Sequence, residues 1–223
     1  MKNEIDLRTT SQLLSLSASL QEGASETATN GPVMTNLSIC EQIPQDEAEI
    51  ENLLDLAFGV QRRTKTSYRL REGNTAAQGL SLVVRQAGFG IVGSISFWPM
   101  LIGEAQAGAI LLGPLAIHPE YQNQGIGRLL LHDSLARCKV LGHKLIVLIG
   151  DAPYYLKAGF KFAPEGQIEM PGPVDPKRLL FMELAPGAMT GVSGLALPPW
   201  RWGEINALRV ATSHSPKQEV QQG

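Results

Sequence analysis

Residues 115–131 read LAIHPEYQNQGIGRLLL, and the pattern changes from extended to helical within a few positions. The apolar run that ends at Ile117 is typical of a buried strand, Pro119 indicates a turn, and Gly125 and Gly127 precede an apolar helical repeat. Backbone N–H groups in the first turn of a helix have no intrahelical acceptor, and with the helix dipole they attract anions. Because glycine lets a phosphate approach the backbone closely, the stretch predicts a phosphate-binding loop.

Two common nucleotide-binding loops are excluded by the residues that follow. A P-loop needs GxxxxGK and then Ser or Thr, but Arg128 and Leu129 follow Gly127. A dinucleotide fingerprint needs a third glycine where Leu130 stands, and an acidic residue about 20 positions later. The sequence has only KLIV at that second place, residues 144–147.

The segments around the loop alternate between strand and helix patterns. Alternating or buried apolar runs predict strands over 37–43, 80–85, 91–98, 109–117 and 144–149, and a closing pair over 168–170 and 179–184. Helical spacing predicts one helix after Pro44, a short one within 62–71, one over 125–141 and a short one over 153–157. This order predicts the α/β class, with helices packed on a sheet.

Composition excludes several classes of function. The formal net charge of the 223 residues is −2, so nothing resembles the basic field of a protein that binds nucleic acid or an anionic membrane. The two cysteines, Cys40 and Cys138, are predicted to be free, and no Cys/His cluster predicts a metal site. Because no apolar run reaches about 18 residues and no secretory signal is visible, we expect a cytoplasmic protein with no membrane partner.

Both ends of the chain differ from its middle. Residues 1–34 are rich in small polar residues, which predicts a disordered N-terminal extension before a domain at 35–185. Residues 186–223 are predicted to form a C-terminal extension that is largely irregular or disordered. Trp200 and Trp202 within it have two interpretations, packing against the domain or contact with a partner, and composition leaves a homodimer open.

Two motifs together resemble the GNAT (Gcn5-related N-acetyltransferase) superfamily. Gln122-x-x-Gly125-x-Gly127 resembles its Q/R-x-x-G-x-G/A loop, and YLKAGF at 155–160 resembles its second motif, a Tyr four residues before Gly-Phe. Asn123 departs from the pattern, because relatives commonly have Gly there. The stretches 113–115 and 142–155 resemble the bacterial YhbS-like branch, and the whole resemblance covers about residues 37–184.

The resemblance implies a fold, a co-substrate and a reaction. The fold would be a mixed, mostly antiparallel sheet, splayed between strands 4 and 5, with helices on both faces. The chain would transfer an acetyl group from acetyl-CoA to a primary amine, small-molecule or peptide, by direct attack. The backbone of Leu115, Ala116 and Ile117 would pair with the pantetheine arm. The pyrophosphate would lie on the loop, at Gln122, Asn123, Gln124, Gly125, Ile126, Gly127 and Arg128.

Tyr155 matches the tyrosine of the family that acts as general acid near the sulfur, and a phenol can donate to a departing thiolate. The alternative is an aromatic side chain that packs the short helix onto the sheet. Its neighbour Tyr154 is interpreted as a packing or substrate-lining residue.

The proton acceptor for the amine is not assigned to a side chain. The strands at 109–117 and 144–149 hold no carboxylate. Glu104 stands in a turn, His118 is interpreted as a turn residue, and Asp151 as a helix cap, so water is the hypothesised acceptor. Candidate acceptor-lining residues are Phe58, Arg62, Arg63, Tyr68, Phe97, Trp98 and 171–173.

Two other functions stay open at this point. One is a non-catalytic acyl-CoA-binding regulatory domain of the same fold. The other is a transferase that takes its acyl group from an acyl carrier protein.

Overall fold

A twisted sheet of nine strands forms the framework of the computed structural model, which describes the backbone of residues 36–213 and the side chains of residues 36–207. Within this range the strands are β1 (Leu37–Glu41), β2 (Leu82–Gln86), β3 (Gly90–Ile102), β4 (Ala107–Ile117), β5 (Leu145–Ile149), β6 (Lys161–Phe162), β7 (Ile168–Glu169), β8 (Leu179–Glu183) and β9 (Gly194–Leu197). The helices are α1 (Glu47–Phe58), α2 (Thr66–Arg69), α3 (Ile126–Val140), α4 (Ala152–Leu156) and α5 (Pro199–Ser213).

The main path of the sheet runs β1-β2-β3-β4-β5-β8-β6. Every neighbouring pair on this path is antiparallel except β4 and β5, which are parallel. The connection between these two contains α3, as a parallel crossover requires. The predicted mixed, mostly antiparallel sheet is confirmed.

Helices cover both faces because the buried strands are apolar on both sides. In β2, Leu82 and Val84 belong to the core that includes Leu130 of α3, while Val83 between them packs with Leu53 of α1. Successive side chains of a strand point to opposite faces, so α1 and α3 lie on opposite sides of the sheet. On α3, Ile126 is buried, whereas Leu141, the residue that follows the helix, is exposed.

The splay between β4 and β5 is also present. The two strands pair only at Ile110 with Ile146 and at Leu111 with Val147. Beyond Leu111, β4 continues to Ile117 with β3 on one side and no strand of the described residues on the other. A bulge lies at the same place, because Ile95 of β3 pairs with Leu115 whereas Phe97 pairs with Leu112. The extra residue bends β4 and separates it from β5.

The C-terminal segment corrects two predictions. It was predicted to be largely irregular or disordered, but residues 194–197 form β9, which pairs with β3 and with β7, and residues 199–213 form α5. The segment is ordered because Trp202 is buried and donates from Nε1 to the carbonyl of Leu101 at 3.1 Å. The predicted pairing of β7 with β8 is also wrong, because β7 pairs with β9 instead. Residues 1–35 and 214–223, where the remaining predicted disorder falls, lie outside the described part.

Neither membrane spans nor metal clusters are found within residues 36–213. None of the helices described there is long and apolar enough to cross a membrane. In the same part of the chain, no three His, Cys, Asp or Glu side chains are grouped closely enough to hold a metal ion. The two cysteines are free thiols, and burial raises the pKa of Cys138 to about 12.

A buried arginine joins α1 to the segment that follows it. Arg62 is 1% exposed and makes ion pairs of 2.6 Å with both Glu51 and Asp55, and it also donates to the hydroxyl of Tyr68. Arg63 binds the same oxygen of Glu51 at 2.6 Å but is 68% exposed. Of these two candidate acceptor-lining arginines, Arg62 therefore has a structural role.

We expect Arg62→Met to lower the free energy of unfolding by about 2–3 kcal/mol, because it leaves two carboxylates and a phenol without their buried partner. The value lies below that of a fully buried pair because Glu51 and Asp55 are about one-third exposed. Arg63→Met is the matched control, with an expected change below about 0.5 kcal/mol. Urea denaturation of the two variants measures the difference, and equal losses would contradict a structural role specific to Arg62.

Acid will weaken a second ion pair, between Asp46 at the entry to α1 and Arg85 of β2. Burial raises the pKa of Asp46. Two hydrogen bonds, from Arg85 at 2.6 Å and from the N–H of Ile43 at 2.9 Å, lower it, and so does the positive charge of Arg85. Together they outweigh burial, so the pKa of Asp46 lies below its ordinary value of 3.8. A carboxyl with a lowered folded pKa stabilises the protein above its unfolded pKa and loses that contribution as pH falls through the folded one.

Asp46→Asn is therefore expected to cost about 1–2 kcal/mol at pH 7, and the difference from the wild type should shrink below about pH 3.8. Urea denaturation at pH 7, 5 and 3 measures this dependence. A cost that stays constant across this range would show that the carboxylate charge of Asp46 is not what stabilises the fold.

Candidate active site

The loop before α3 has the backbone geometry of an anion site. Gly125 occupies the N-cap position with φ of 82°, and α3 begins at Ile126. The first hydrogen bond of the helix runs from the N–H of Leu129 to the carbonyl of Gly125 at 3.0 Å. The N–H groups of Ile126, Gly127 and Arg128 precede that bond, so they have no acceptor within the helix. They point toward the end of the helix where the dipole favours a negative charge.

The two glutamines of the loop have structural hydrogen bonds. The N–H of Gln122 donates to the carbonyl of Pro119 at 3.3 Å, and its Nε2 donates to the carbonyl of Ile117 at 3.2 Å. Gln124 donates from Nε2 to the carbonyl of Glu120 at 3.0 Å. The N–H of Gln122 was predicted to bind pyrophosphate, but here the turn uses it. Gln122 instead ties the end of β4 to the loop.

The remaining loop residues are open to a ligand. Asn123 has φ of 61°, the left-handed conformation that the glycine of relatives would adopt more readily. The backbone N–H groups of Asn123, Gln124 and Gly125 donate to no group of the described residues. Arg128 is exposed beside them and forms no ion pair with a described carboxylate, so its charge is available to a phosphate.

Gly127 is placed where a side chain would fill the site. A Cβ there would lie 2.9 Å from the hydroxyl oxygen of Tyr154 and 3.4 Å from Cγ1 of Ile117. The hydroxyl of Tyr154 therefore reaches the first turn of α3, a position that sequence spacing does not predict. Two consecutive tyrosines on a short helix look alike in the sequence, and only the packing of α4 distinguishes them.

The end of β4 lies next to this loop. Leu115, Ala116 and Ile117 pair with Ile95, Ser94 and Gly93 of β3 on one edge, and the edge toward β5 is open. The indole N–H of Trp98 donates to the carbonyl of Gly113 at 2.7 Å, so this bulge carbonyl, just before the open segment, has a hydrogen-bond partner. An extended chain with amide groups can add to such an edge as an extra strand.

Tyr155 lies on α4 and packs against the core cluster that contains the buried side chains of α3. Its ring makes edge contacts with Tyr154 and Phe160, with centroid distances of 5.0 Å and 5.6 Å, and packs closely on Gly150. Burial raises the pKa of Tyr155 well above its ordinary value of 10.0, and the nearby Tyr154 and Asp151 add to the effect. The hydroxyl is therefore protonated throughout the neutral range, which is the form that can donate.

The other residues considered from the sequence have separate places. Nδ1 of His118 accepts the N–H of Glu120 at 3.4 Å, as a turn residue does. Asp151 holds the N-cap position of α4, although its side chain makes no capping hydrogen bond. Phe97 is buried in the core on the α3 face. The loop at 171–173 is bound to α2, where Arg69 donates to the carbonyl of Pro171 at 2.7 Å.

A cavity of about 390 Å³ lies on the face of the sheet that α1 covers, opposite α3, next to the bulge in β4. α1 supplies Ile50 and Leu54, and β3 and β4 supply Ser94, Trp98 and Pro114. Trp98 was a candidate lining residue from the sequence, but the cavity itself was not predicted, because α1 and β3 are far apart along the chain. A second cavity, of about 130 Å³, lies among Ala163, Ile168 and Leu179, away from the loop.

Comparison with known proteins agrees with this geometry. Residues 78–162 match the family described as "Acetyltransferase (GNAT) domain". A GNAT family acetyltransferase from Brucella melitensis, solved in complex with acetyl-CoA, is 31% identical, with a TM-score of 0.53 over 68% of this chain and 90% of that one. The chain belongs to the GNAT acetyltransferase family.

Within this family the chain is YhbS-like. It is 27% identical over 154 residues to the "Uncharacterized N-acetyltransferase YhbS" of Escherichia coli (strain K12), which covers 69% of this chain and 91% of that protein. The structure of Escherichia coli YhbS in complex with CoA has a TM-score of 0.64 and 25% identity over 79% of this chain and 96% of that one. The resemblance stated from the sequence is confirmed, and so is the assignment as an N-acetyltransferase.

Proposed function

We propose that this GNAT member binds acetyl-CoA along β4 and the loop before α3, and transfers the acetyl group to a primary amine. The observation that carries the proposal is the uncapped first turn of α3 next to the open edge of β4. Three helix N–H groups, the left-handed Asn123 and the cation of Arg128 suit a pyrophosphate. The open edge at residues 115–117 suits an amide-containing arm.

The reaction needs few groups from the protein. The amine nitrogen attacks the thioester carbon, the C–S bond breaks, and the electron pair goes to sulfur. Tyr155 donates to that sulfur as charge develops. The nitrogen loses its proton to water, and water returns a proton to the Tyr155 phenolate, so the products are an N-substituted acetamide and free CoA thiol. Binding aligns the two reactants, which is the main contribution expected of a direct-attack transferase.

Water as the acceptor of the amine proton remains our proposal. Neither β4 nor β5 carries a carboxylate or histidine, and His118 is engaged in its turn. The pH profile of kcat/KM tests it. If one carboxylate or histidine substitution removed the acidic limb of that profile, a side-chain base would replace water in the mechanism.

Two measurements on the wild-type protein separate the three functions. Calorimetry with desulfo-CoA tests the pyrophosphate site, because an acyl carrier protein offers only one phosphodiester. Release of free thiol from acetyl-CoA with a panel of primary amines tests transfer. Tight binding together with amine-dependent thiol release supports the proposal. Tight binding without thiol release would favour a regulatory acyl-CoA-binding domain, and no binding would favour a different donor.

A further inference from the structure

The cavity on the α1 face is lined by Arg71, which forms no ion pair with a carboxylate of residues 36–207. The guanidinium of Arg71 lies over the ring of Tyr68, with Cζ 3.9 Å from the ring centroid, and 5.2 Å from that of Trp98. Its Nε atom is buried and has no hydrogen-bond partner among the described residues, and none of their carboxylates forms an ion pair with it. A buried polar atom without a hydrogen-bond partner is costly, so the unpaired Nε of Arg71 marks a place where a ligand could bind with net gain.

The nearby acids do not complete this site. Glu51 lines the cavity, but its carboxylate is bound by Arg62 and Arg63, both at 2.6 Å. Glu47 also lines the cavity and is exposed at the start of α1. Burial lowers the pKa of Arg71, although the hydrogen bond and charge of Tyr68 and the charge of Glu51 oppose that shift in part.

A second unpartnered polar group lies on the floor of the same cavity. The hydroxyl of Ser94 is buried, in a residue that is 3% exposed, and it has no hydrogen-bond partner among the described residues. Ser94 pairs in register with Ala116, within the β4 segment proposed for the pantetheine arm. Two buried groups without partners, one on β3 opposite the middle of that segment and one held by aromatic rings, therefore line a single cavity beside the proposed site of transfer.

We propose that this cavity binds the acceptor, and that the acceptor is a small primary amine carrying an anionic group that binds Arg71. The inference rests on the proposed function. The fork of the guanidinium matches the oxygens of a carboxylate or phosphate, and the aromatic rings hold it in place. The hydroxyl of Ser94 accepts a hydrogen bond from the amine, which places the nitrogen near β4. A cavity of about 390 Å³ suits a small molecule better than a folded polypeptide surface.

Three small primary amines that share an aminoethyl group test the proposal on the wild-type protein: 3-aminopropanoate, its carboxamide and 2-aminoethyl phosphate. With saturating acetyl-CoA, we expect kcat/KM for at least one anion to exceed that for the carboxamide about 30-fold, mostly through KM. The ratio of the two anions distinguishes a carboxylate site from a phosphate site. Equal or better use of the carboxamide would overturn the proposal.

Substitutions assign the preference to Arg71. Arg71→Met should reduce the anion-to-carboxamide ratio to within about threefold, and Arg71→Lys should keep part of the anion preference. Arg137→Met is the matched control, because Arg137 pairs with Asp133 on α3, on the opposite face of the sheet. An Arg71→Met protein that keeps the full preference would overturn the assignment.

Binding of reaction products gives a readout that does not need turnover. Calorimetry on the CoA-loaded wild-type protein compares N-acetyl-3-aminopropanoate and N-acetyl-2-aminoethyl phosphate with the N-acetylated carboxamide. Preference for an anion supports the Arg71 site even if Arg71→Met fails to fold or no amine is acetylated. Absence of acetylation together with anion preference would refute the transfer reaction alone, whereas acetylation without anion preference would refute the Arg71 site alone.

Discussion

A Tyr155→Phe protein will acetylate amines with a kcat about 100-fold below that of the wild type, while its KM for acetyl-CoA changes little. The substitution keeps the ring, which packs on Gly150 and Phe160, and removes only the hydroxyl. General acid catalysis is typically worth about 10²–10⁴-fold. We expect the lower end, because a phenol whose pKa burial has raised is a weaker acid than one in water. Pre-steady-state release of thiol, followed with a chromogenic reagent, measures the step directly.

Tyr154→Phe provides the contrast. Its hydroxyl reaches the first turn of α3, so the substitution should raise KM for acetyl-CoA by a few fold and leave kcat within about threefold. If Tyr154→Phe lost kcat and Tyr155→Phe did not, the two tyrosines would exchange their assigned roles. If neither lost kcat, the departing thiolate would be protonated without help from α4.

Gly127→Val will lower the affinity for CoA by about 10³-fold with little change in thermal stability. The valine methyl groups project over the N–H groups at the start of α3, where the pyrophosphate is proposed to lie. Loss of two hydrogen bonds to a charged phosphate costs about 3–6 kcal/mol, and each 1.4 kcal/mol is tenfold in affinity. We expect only a small loss of stability, because the nearest atom to the new Cβ, at 2.9 Å, is the end of the Tyr154 side chain, and Cγ1 of Ile117 follows at 3.4 Å.

Calorimetry with CoA measures the loss, and Gly203→Val is the matched control. Gly203 lies in α5, and a Cβ there would meet nothing within 4 Å. The control should bind CoA as the wild type does and unfold at a similar temperature. Retained CoA affinity in Gly127→Val would place the pyrophosphate elsewhere, and an unfolded Gly127→Val protein would show that the glycine serves packing.

Local chemistry explains why the loop was predictable. A left-handed residue at Gly125, a turn at Pro119 and the apolar face of α3 are all determined within a few residues, and sequence spacing reports such features directly. The sequence also predicted the segments that become β1 to β5, because their buried faces are apolar. The role of Gln122 was missed in part, since its hydrogen bonds to Pro119 and Ile117 depend on how the turn closes.

Features that depend on distant partners were not predictable. Arg62 and Arg63 are adjacent in the sequence, yet one is buried because α1 places Glu51 and Asp55 around it. The order of residues 194–213 depends on a free edge of β3 about 95 positions earlier. The cavity with Arg71 and Ser94 exists only after α1 packs on the sheet. Neither residue belongs to a sequence motif that predicts a binding site.

The pairing of β9 with β3 also has a consequence for biosynthesis. Leu101 of β3 acquires its partner Leu197 only when the ribosome has made nearly a hundred further residues, and Trp202 docks later still. Until then the edge of β3 at Leu101 and Ile102 that faces away from β4 is unpaired in the nascent chain. Contacts of such long sequence separation form late in folding, and incomplete chains of this kind aggregate readily. A shortened gene that stops after residue 185 would therefore yield a polypeptide that keeps the acetyl-CoA loop and the Tyr155 helix but depends on chaperones to stay in solution.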